Sequence, residues 1–216
     1  MKTYMFHGPS GCGKDTQLDL LASKLDFERI AGGTMFREML ESADPYEKEI
    51  ALQVKAGVFP NGDVFYPLLS KYVKKFDPNK AWVLVSTVRL ENQLPYFEQF
   101  MKENNRTLDA FIHFTLSEEA AVERLALRSF CPTCSATYHD KYKSEKVKGI
   151  CDQDGTKLER RSDDTPEAIK LRLKQYKDNI EPILEYFRNK GVLIEIDAAP
   201  SIEMIQKTVL EKLNLV

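Results

Sequence analysis

The sequence predicts an α/β protein: a doubly wound parallel sheet carrying a phosphate-binding loop at its centre. Three observations predict it. A glycine-rich stretch, Gly8-Pro9-Ser10-Gly11-Cys12-Gly13-Lys14-Asp15-Thr16, stands between the apolar run Tyr4-Met5-Phe6 and a helical pattern. Short apolar runs alternate with helical patterns along the chain, the signature of strands wound in parallel with helices on both faces. One run, Trp82-Val83-Leu84-Val85, is continuously apolar, as a strand covered on both sides must be.

Each element follows in turn. Thr3 to His7 reads as a buried strand, and Leu18, Leu21, Ala22 and Leu25 recur at helical spacing after the loop. Glycines in such a loop let backbone N–H groups close on an anion; Gly11, Cys12 and Gly13 lie at its turn, Lys14 adds a point charge, and the next helix offers its positive end. The P-loop pattern expects a hydroxyl directly after the lysine, whereas here Asp15 precedes Thr16. Phe27 to Ile30 is a short strand, and Gly32-Gly33 leads into a helix patterned by Met35, Phe36, Met39 and Leu40, with Arg37 in its first turns. Pro45 opens a helix that Gly57 closes. Asp63 to Phe76 is a further helix, stopped before Pro78.

The strand at Trp82 to Val85 is followed by Arg89 and Gln93, which share a face if a helix begins there. Phe111 to Phe114 is a strand, and Ser117 caps a helix with Glu118 and Glu119 in its first turn. Continued, that helix places Arg124 and Arg128 on one face and Val122, Leu125 and Ala126 toward the other. Thr165-Pro166 starts a helix that Pro182 should kink or break and Gly191 ends. Val192 to Ile196 is the fifth strand, and Ser201 to Leu213 the last helix. In such sheets ligands gather at the carboxyl ends of the strands.

Composition narrows the function. The chain has 216 residues, 43% of them hydrophobic, which suffices for a sizeable core. Lys and Arg number 31 against 33 Asp and Glu, a net charge of -2, so no overall basic footprint recommends a nucleic acid or an anionic membrane. The apolar run at the N-terminus is too brief for a signal peptide and no stretch approaches spanning length, so a cytoplasmic protein is expected. In that compartment cysteines serve as thiols or metal ligands.

Cys131, Cys134, Cys151 and Asp154 form two pairs, each with two residues between partners. Paired ligands on two knuckles suit a four-coordinate zinc site, and four protein ligands leave no open position, so the metal is expected to be structural. The segment from Phe130 to about Asp164 has no core periodicity, and a metal would substitute for a core. Lys141, Lys143, Lys146 and Lys148 lie between the knuckles. They fit a nucleic-acid-binding zinc ribbon, or equally offset the thiolate charge.

The chain resembles the adenylate kinase family in its long-lid, zinc-containing form, over essentially its whole length. Gly8 to Gln17 is similar to the family's Gly-x-Pro-Gly-x-Gly-Lys-Gly-Thr-Gln loop, the three cysteines and Asp154 match its lid pattern, and Arg161-Ser162-Asp163-Asp164 matches its Arg-x-Asp-Asp run. The resemblance implies a P-loop core of residues 1–30, 61–126 and 165–216, a helical segment 31–60 that binds the acceptor nucleotide, and a zinc-binding lid 127–164. It implies reversible phosphoryl transfer between ATP and AMP, or another nucleoside monophosphate, with magnesium. Arg37 and Arg89 would hold the acceptor phosphate, Gln93 would read its base, and Gly32 and Val58 would line its site. Gly11 to Thr16 would hold ATP, with Thr16 on magnesium. Arg124 would stack on the donor adenine, with Tyr138 at the lid edge beside His139. Lys14, Arg89, Arg128, Arg161 and Arg172 would act on the transferring group, and the aspartates would orient lid arginines. Neither nucleic acid nor membrane is an expected partner, and a monomer is expected.

Several motifs depart from the family. Its Asp-Gly-Phe-Pro-Arg is here Val85-Ser86-Thr87-Val88-Arg89, without the acid that helps order the magnesium hydration shell; its Ser-Thr-Gly-Asp is Ala31-Gly32-Gly33-Thr34; and Ala198-Ala199-Pro200 replaces a glycine-containing turn. Asp15 is an extra acid, either a substitute for the missing metal-facing carboxylate or a helix N-terminal acid favoured by the dipole. The other readings are a catalytically impaired nucleotide-binding member and a zinc-ribbon nucleic-acid-binding P-loop protein.

Overall fold

The computed structural model describes residues 1–134, 136–160 and 164–215. In chain order the core elements are β1 (Thr3–His7), α1 (Lys14–Leu21), β2 (Phe27–Ala31), α2 (Gly32–Met39), α3 (Pro45–Lys55), α4 (Gly62–Tyr72), β3 (Ala81–Val85), α5 (Leu94–Glu103), β4 (Ala110–Thr115) and α6 (Glu118–Ala126). A two-stranded hairpin, β5 (Arg128–Phe130) with β6 (Thr137–His139), stands outside the large sheet; α7 (Pro166–Asn189), β7 (Leu193–Asp197) and α8 (Ile202–Lys212) follow. The large sheet has the order β2-β3-β1-β4-β7 with every pair parallel. The connection from β1 leads to the β2 edge while that from its neighbour β4 leads the other way to β7, so the loop after β1 lies at the topological switch point where α/β sheets bind ligands.

Alternate residues of the central strands feed two separate cores. Met5, Leu84 and Phe111 face the layer holding α4, α5 and α7, and Tyr4, Phe6, Val83, Val85, Ile112 and Phe114 face α1 and α8. Both faces are covered, which is why these strands read as unbroken apolar runs. Local signals set several boundaries. Asp44, Ser117, Thr165 and Ser201 accept hydrogen bonds from the first turns of their helices, and Gly191 ends α7 with a φ of 70°.

The structure corrects several expectations. Helix α1 stops at Leu21, leaving Leu25 beyond it, and Gly32 and Gly33 belong to α2, so Arg37 is in its last turn. The helix expected to reach Phe76 becomes a 3-10 turn over Val73–Lys75. No helix carries Arg89: Leu90 is extended, and Gln93 lies in a 3-10 turn. Helix α6 ends at Ala126, so Arg124 is helical while Arg128 is on β5; Ala121 and Leu125 form the buried face, and Val122 and Ala126 are exposed. Pro182 does not end α7, because Ile183, Leu184 and Phe187 seat the following turns in the core and outweigh one lost backbone bond.

Candidate active site

Two close approaches shape the phosphate loop. A Cβ on Gly8 would lie 2.6 Å from the Phe114 carbonyl oxygen, and one on Gly11, at φ 88°, 2.9 Å from that of Ala121. Only glycine lets the chain turn so near β4 and α6. Lys14 Nζ donates to the carbonyls of Gly8 at 2.8 Å and Pro9 at 3.0 Å and touches Cys12 Sγ at 3.3 Å. The ammonium is therefore held over the loop. Asp15 is ion-paired with Arg29, which also donates to Asp19 at 3.0 Å. Its charge is thus partly neutralised from the β2 side.

Lys14, Arg37, Arg89, Arg124, Arg128 and Arg172 all line one cavity of about 500 Å³, together with Gly11, Cys12, Gly13, Asp15, Thr16, Gly32 and Gln93. Arg89, directly beyond β3, donates from Nε to the Ser86 carbonyl at 3.2 Å and lies over the Phe59 ring at 4.5 Å. Burial, then the charges of Arg172 and Arg37, push its pKa down to about 10. Arg37 and Arg172 thus lie close enough to Arg89 for their charges to oppose its own. Arg128 grips Asp164 through Nε at 2.9 Å and Nη2 at 2.6 and 2.7 Å, and Arg172 Nη2 donates to the same carboxylate at 2.7 Å. Burial would raise the Asp164 pKa, but the two arginines more than reverse this and hold it low. Arg124 donates to the Ala198 carbonyl at 2.9 Å and lies 5.5 Å from the Tyr142 ring. Arg161 lies outside the described residues.

At the other end, Gln93 is buried, and its Oε1 accepts from the N–H groups of Arg89 at 2.6 Å and Leu90 at 3.2 Å. Its Nε2 donates to the Pro60 carbonyl at 2.8 Å. The amide thus braces the loop that presents Arg89. Val58 is 59% exposed and is not among the residues lining the cavity, whereas its neighbours Gly57 and Phe59 are.

Beneath the loop lies a polar stack that sequence reasoning missed. His7 Nε2 bonds the Val88 carbonyl at 2.8 Å, while its buried Nδ1 has no hydrogen-bond partner among the described residues. Since a carbonyl only accepts, Nε2 carries the proton and Nδ1 is bare. Burial, with Lys14, His113 and Arg89 nearby, keeps His7 neutral by lowering its pKa far below normal. His113, its neighbour across the β1–β4 register, bonds Tyr176 on α7 and approaches Glu195 at 3.4 Å. The available signal was a histidine immediately before the first glycine of the loop.

In the lid, the ligand atoms of Cys131, Cys134, Cys151 and Asp154 lie within 4.8 Å of one another. Cys134 Sγ is 3.5 Å from Cys151 Sγ, and Cys131 Sγ is 3.3 Å from Asp154 Oδ2. Such spacings suit one tetrahedral ion. Tyr138 lines the cavity, and its hydroxyl reaches this cluster, 3.4 Å from Cys151 Sγ, and accepts from the Asp152 N–H at 2.8 Å. Lys141 pairs with Glu123, Lys143 with Asp19 at 3.2 Å and Lys148 with Asp140 at 3.6 Å. Lys141 and Lys143 thus tie this segment to α6 and α1, and Lys148 pairs within it.

A sequence model of the adenylate kinase family matches residues 6–192, which takes in the loop, the arginines and the metal cluster. The chain belongs to the adenylate kinase family. The adenylate kinase of Acholeplasma laidlawii is 33% identical over 215 residues, covering 99% of both chains. That of Staphylococcus epidermidis is 34% identical over 207 residues, 96% of each. The archaeal adenylate kinase of Archaeoglobus fulgidus is 31% identical over 213 residues, 97% of this chain and 98% of its own. As an adenylate kinase family member the chain is a phosphotransferase, a nucleoside monophosphate kinase. Among the described residues no helix is long and apolar enough to cross a membrane.

Proposed function

We propose that this adenylate kinase family member transfers the γ-phosphoryl group of ATP to AMP, reversibly and with magnesium. One observation carries the reading: Lys14 on the phosphate loop, Arg37 and Arg89 at the acceptor end and Arg128 and Arg172 beneath the lid all face one cavity. Phosphoryl transfer requires in-line placement and neutralised charge on the equatorial oxygens rather than a protein nucleophile. Converging guanidinium groups supply both, and a lid that shuts over them keeps water from competing as acceptor.

In this reading Lys14 and the N–H groups of Gly11 to Thr16 hold the donor phosphates, and Arg37 and Arg89 hold the acceptor phosphate. Arg128 and Arg172, set by Asp164, close on the group in flight, as the family resemblance implies for Arg161 also. Arg124 and the wall it makes with Tyr142 receive the donor adenine. Magnesium, when bound with ATP, neutralises phosphate charge and orients the donor chain; Thr16 is the residue to hold it, and Asp15 is tied toward Arg29. The four lid ligands suit a structural zinc, whose role is to stiffen a segment with little apolar core, Cys131, Tyr138, Cys151 and Leu158 being its buried cluster among the described residues. We propose the segments 31–60 and 127–164 as the acceptor-binding and lid units.

The impaired reading is favoured by Val85, buried at the end of β3 where the family carries an acid. A coupled assay with ATP, magnesium and a panel of nucleoside monophosphates separates the two. Turnover with AMP that is lost in Lys14→Met supports the kinase; nucleotide binding without turnover supports impairment; absence of nucleotide binding overturns both.

A further inference from the structure

Tyr176 lies one turn beyond Arg172 on the same face of α7, and both side chains line the cavity. Its ring is stacked against that of His7, with centroids 5.8 Å and planes 24° apart, and His7 ends β1 immediately before the first glycine of the phosphate loop. Its hydroxyl bonds Nε2 of His113 on β4. One side chain therefore joins α7 to both strands beneath the loop.

The direction of the hydroxyl bond follows from a third partner. His113 Nδ1 approaches a carboxylate oxygen of Glu195 on β7 at 3.4 Å, and a carboxylate only accepts, so Nδ1 carries the proton. Nε2 is then bare, and the Tyr176 hydroxyl donates to it. A protonated imidazole offers no acceptor, so this bond exists only while His113 is neutral. The groups around His113 are Glu195 of β7, Tyr176 and Glu181 of α7, His7 of β1 and Lys14 of α1, with Cys12 of the loop near Tyr176. Burial, aided by Lys14, outweighs Glu195 and Glu181 and holds His113 below the ordinary histidine value, so the acceptor is present at neutral pH.

We infer that Tyr176 is a positioning residue for the reaction, tying α7 to His7 and His113 and so fixing Arg172 relative to Lys14 on the phosphate loop. The inference rests on the phosphoryl-transfer reading above. In-line transfer tolerates little misplacement, an error of about 1 Å costing about a hundredfold in rate. Asp164 sets the direction of the Arg172 guanidinium, and Tyr176 adds a fixed point to the helix on which that arginine stands. The bond is made in the resting protein and touches no substrate, so its loss should appear in kcat rather than in binding.

The test is steady-state kinetics with ATP and AMP between about pH 5 and pH 8, the range in which histidines titrate, for the parent, Tyr176→Phe, His113→Leu and His113→Gln. Phenylalanine keeps the ring and removes the hydroxyl; kcat at neutral pH should fall by roughly three- to tenfold, the worth of one neutral hydrogen bond, with both KM values unchanged. His113→Leu removes the acceptor and should lose kcat alike, whereas the amide oxygen of His113→Gln accepts without titrating and should restore it. In acid the parent should lose its advantage over Tyr176→Phe as His113 protonates, and His113→Gln should keep it; titration of the substrates' own phosphates is common to all four proteins and cancels in the ratios. Parental kcat in Tyr176→Phe, a loss carried by KM, no rescue by His113→Gln, or a parent-to-Tyr176→Phe ratio that stays constant with pH overturns the inference. If the parent turns over no nucleoside monophosphate, the phosphoryl-transfer reading fails by itself, and hydrogen exchange of α7 from Arg172 to Tyr176 decides: faster exchange in Tyr176→Phe and His113→Leu than in His113→Gln upholds the tie, and equal exchange overturns it.

Discussion

Replacing Asp164 with asparagine asks whether Arg128 and Arg172 act as one charged unit. The carboxylate side chain is 4% exposed and takes three contacts from Arg128 and one from Arg172 at 2.6–2.9 Å. Asparagine keeps the shape but leaves two guanidinium groups facing each other. At about 5 Å two unit charges repel by about 3 kcal/mol in an effective dielectric of about 20. Removing one partner of a buried pair costs about 3–5 kcal/mol, so the unfolding free energy should fall by about 3 kcal/mol in urea titration at neutral pH. If two-thirds of that loss reaches the transition state, kcat falls about thirtyfold, at about 1.4 kcal/mol per decade. The sign with pH follows from the lowered folded pKa. The Asp164 contribution is complete above the ordinary carboxylate value of about 4 and is lost as pH falls through the still lower folded value, so parent and variant stability curves should converge in strong acid. A kcat within twofold of the parent, with an unchanged urea midpoint, would refute the coupling of Arg128 and Arg172 through this residue.

Three further outcomes are expected. Elemental analysis should find one zinc per chain, and chelation should remove hydrogen-exchange protection from residues 128–160 while β1, β3 and β4 stay protected; full lid protection without metal would contradict a structural site. Lys143→Ala breaks a half-exposed lid-to-α1 pair of 3.2 Å, so the KM for ATP should rise by less than about threefold, and a difference from the parent that persists in molar salt would rule out an ionic origin. His7, with its folded pKa lowered, contributes stability that is complete above the ordinary histidine value of about 6.5 and drains away as pH falls toward the folded value. His7→Met should therefore flatten the acid limb of the thermal-midpoint curve, and identical limbs would remove His7 as its source.

The parallel sheet and the phosphate loop were legible because they rest on local rules, whereas the strand order came only with the fold. Five apolar runs spaced by helical patterns fix a parallel sheet, and Gly8, Gly11 and Gly13 ahead of Lys14 fix the anion cradle, whatever the rest of the chain does. The cysteine pairs were legible for the same reason, since two residues between ligands make a knuckle by backbone geometry alone. Less legible were the ends of elements. Arg128 reads as helical by spacing from Arg124, but the chain leaves α6 after Ala126 to begin the lid hairpin. Pro182 reads as a break, but packing of Ile183 and Phe187 carries α7 past it.

Side-chain partners were beyond the sequence altogether. Nothing in the residue order says that Asp15 is drawn to Arg29, that Tyr138 turns its hydroxyl to Cys151, or that the Gln93 oxygen is spent on the backbone of Arg89 and Leu90. The sequence by itself determined which chemistry is present, because glycine, lysine, arginine and cysteine carry their properties wherever they stand. Tertiary structure decided which of those groups face one cavity and which are used up as braces, because a hydrogen bond or an ion pair exists only between atoms that folding has brought within about 3 Å of each other.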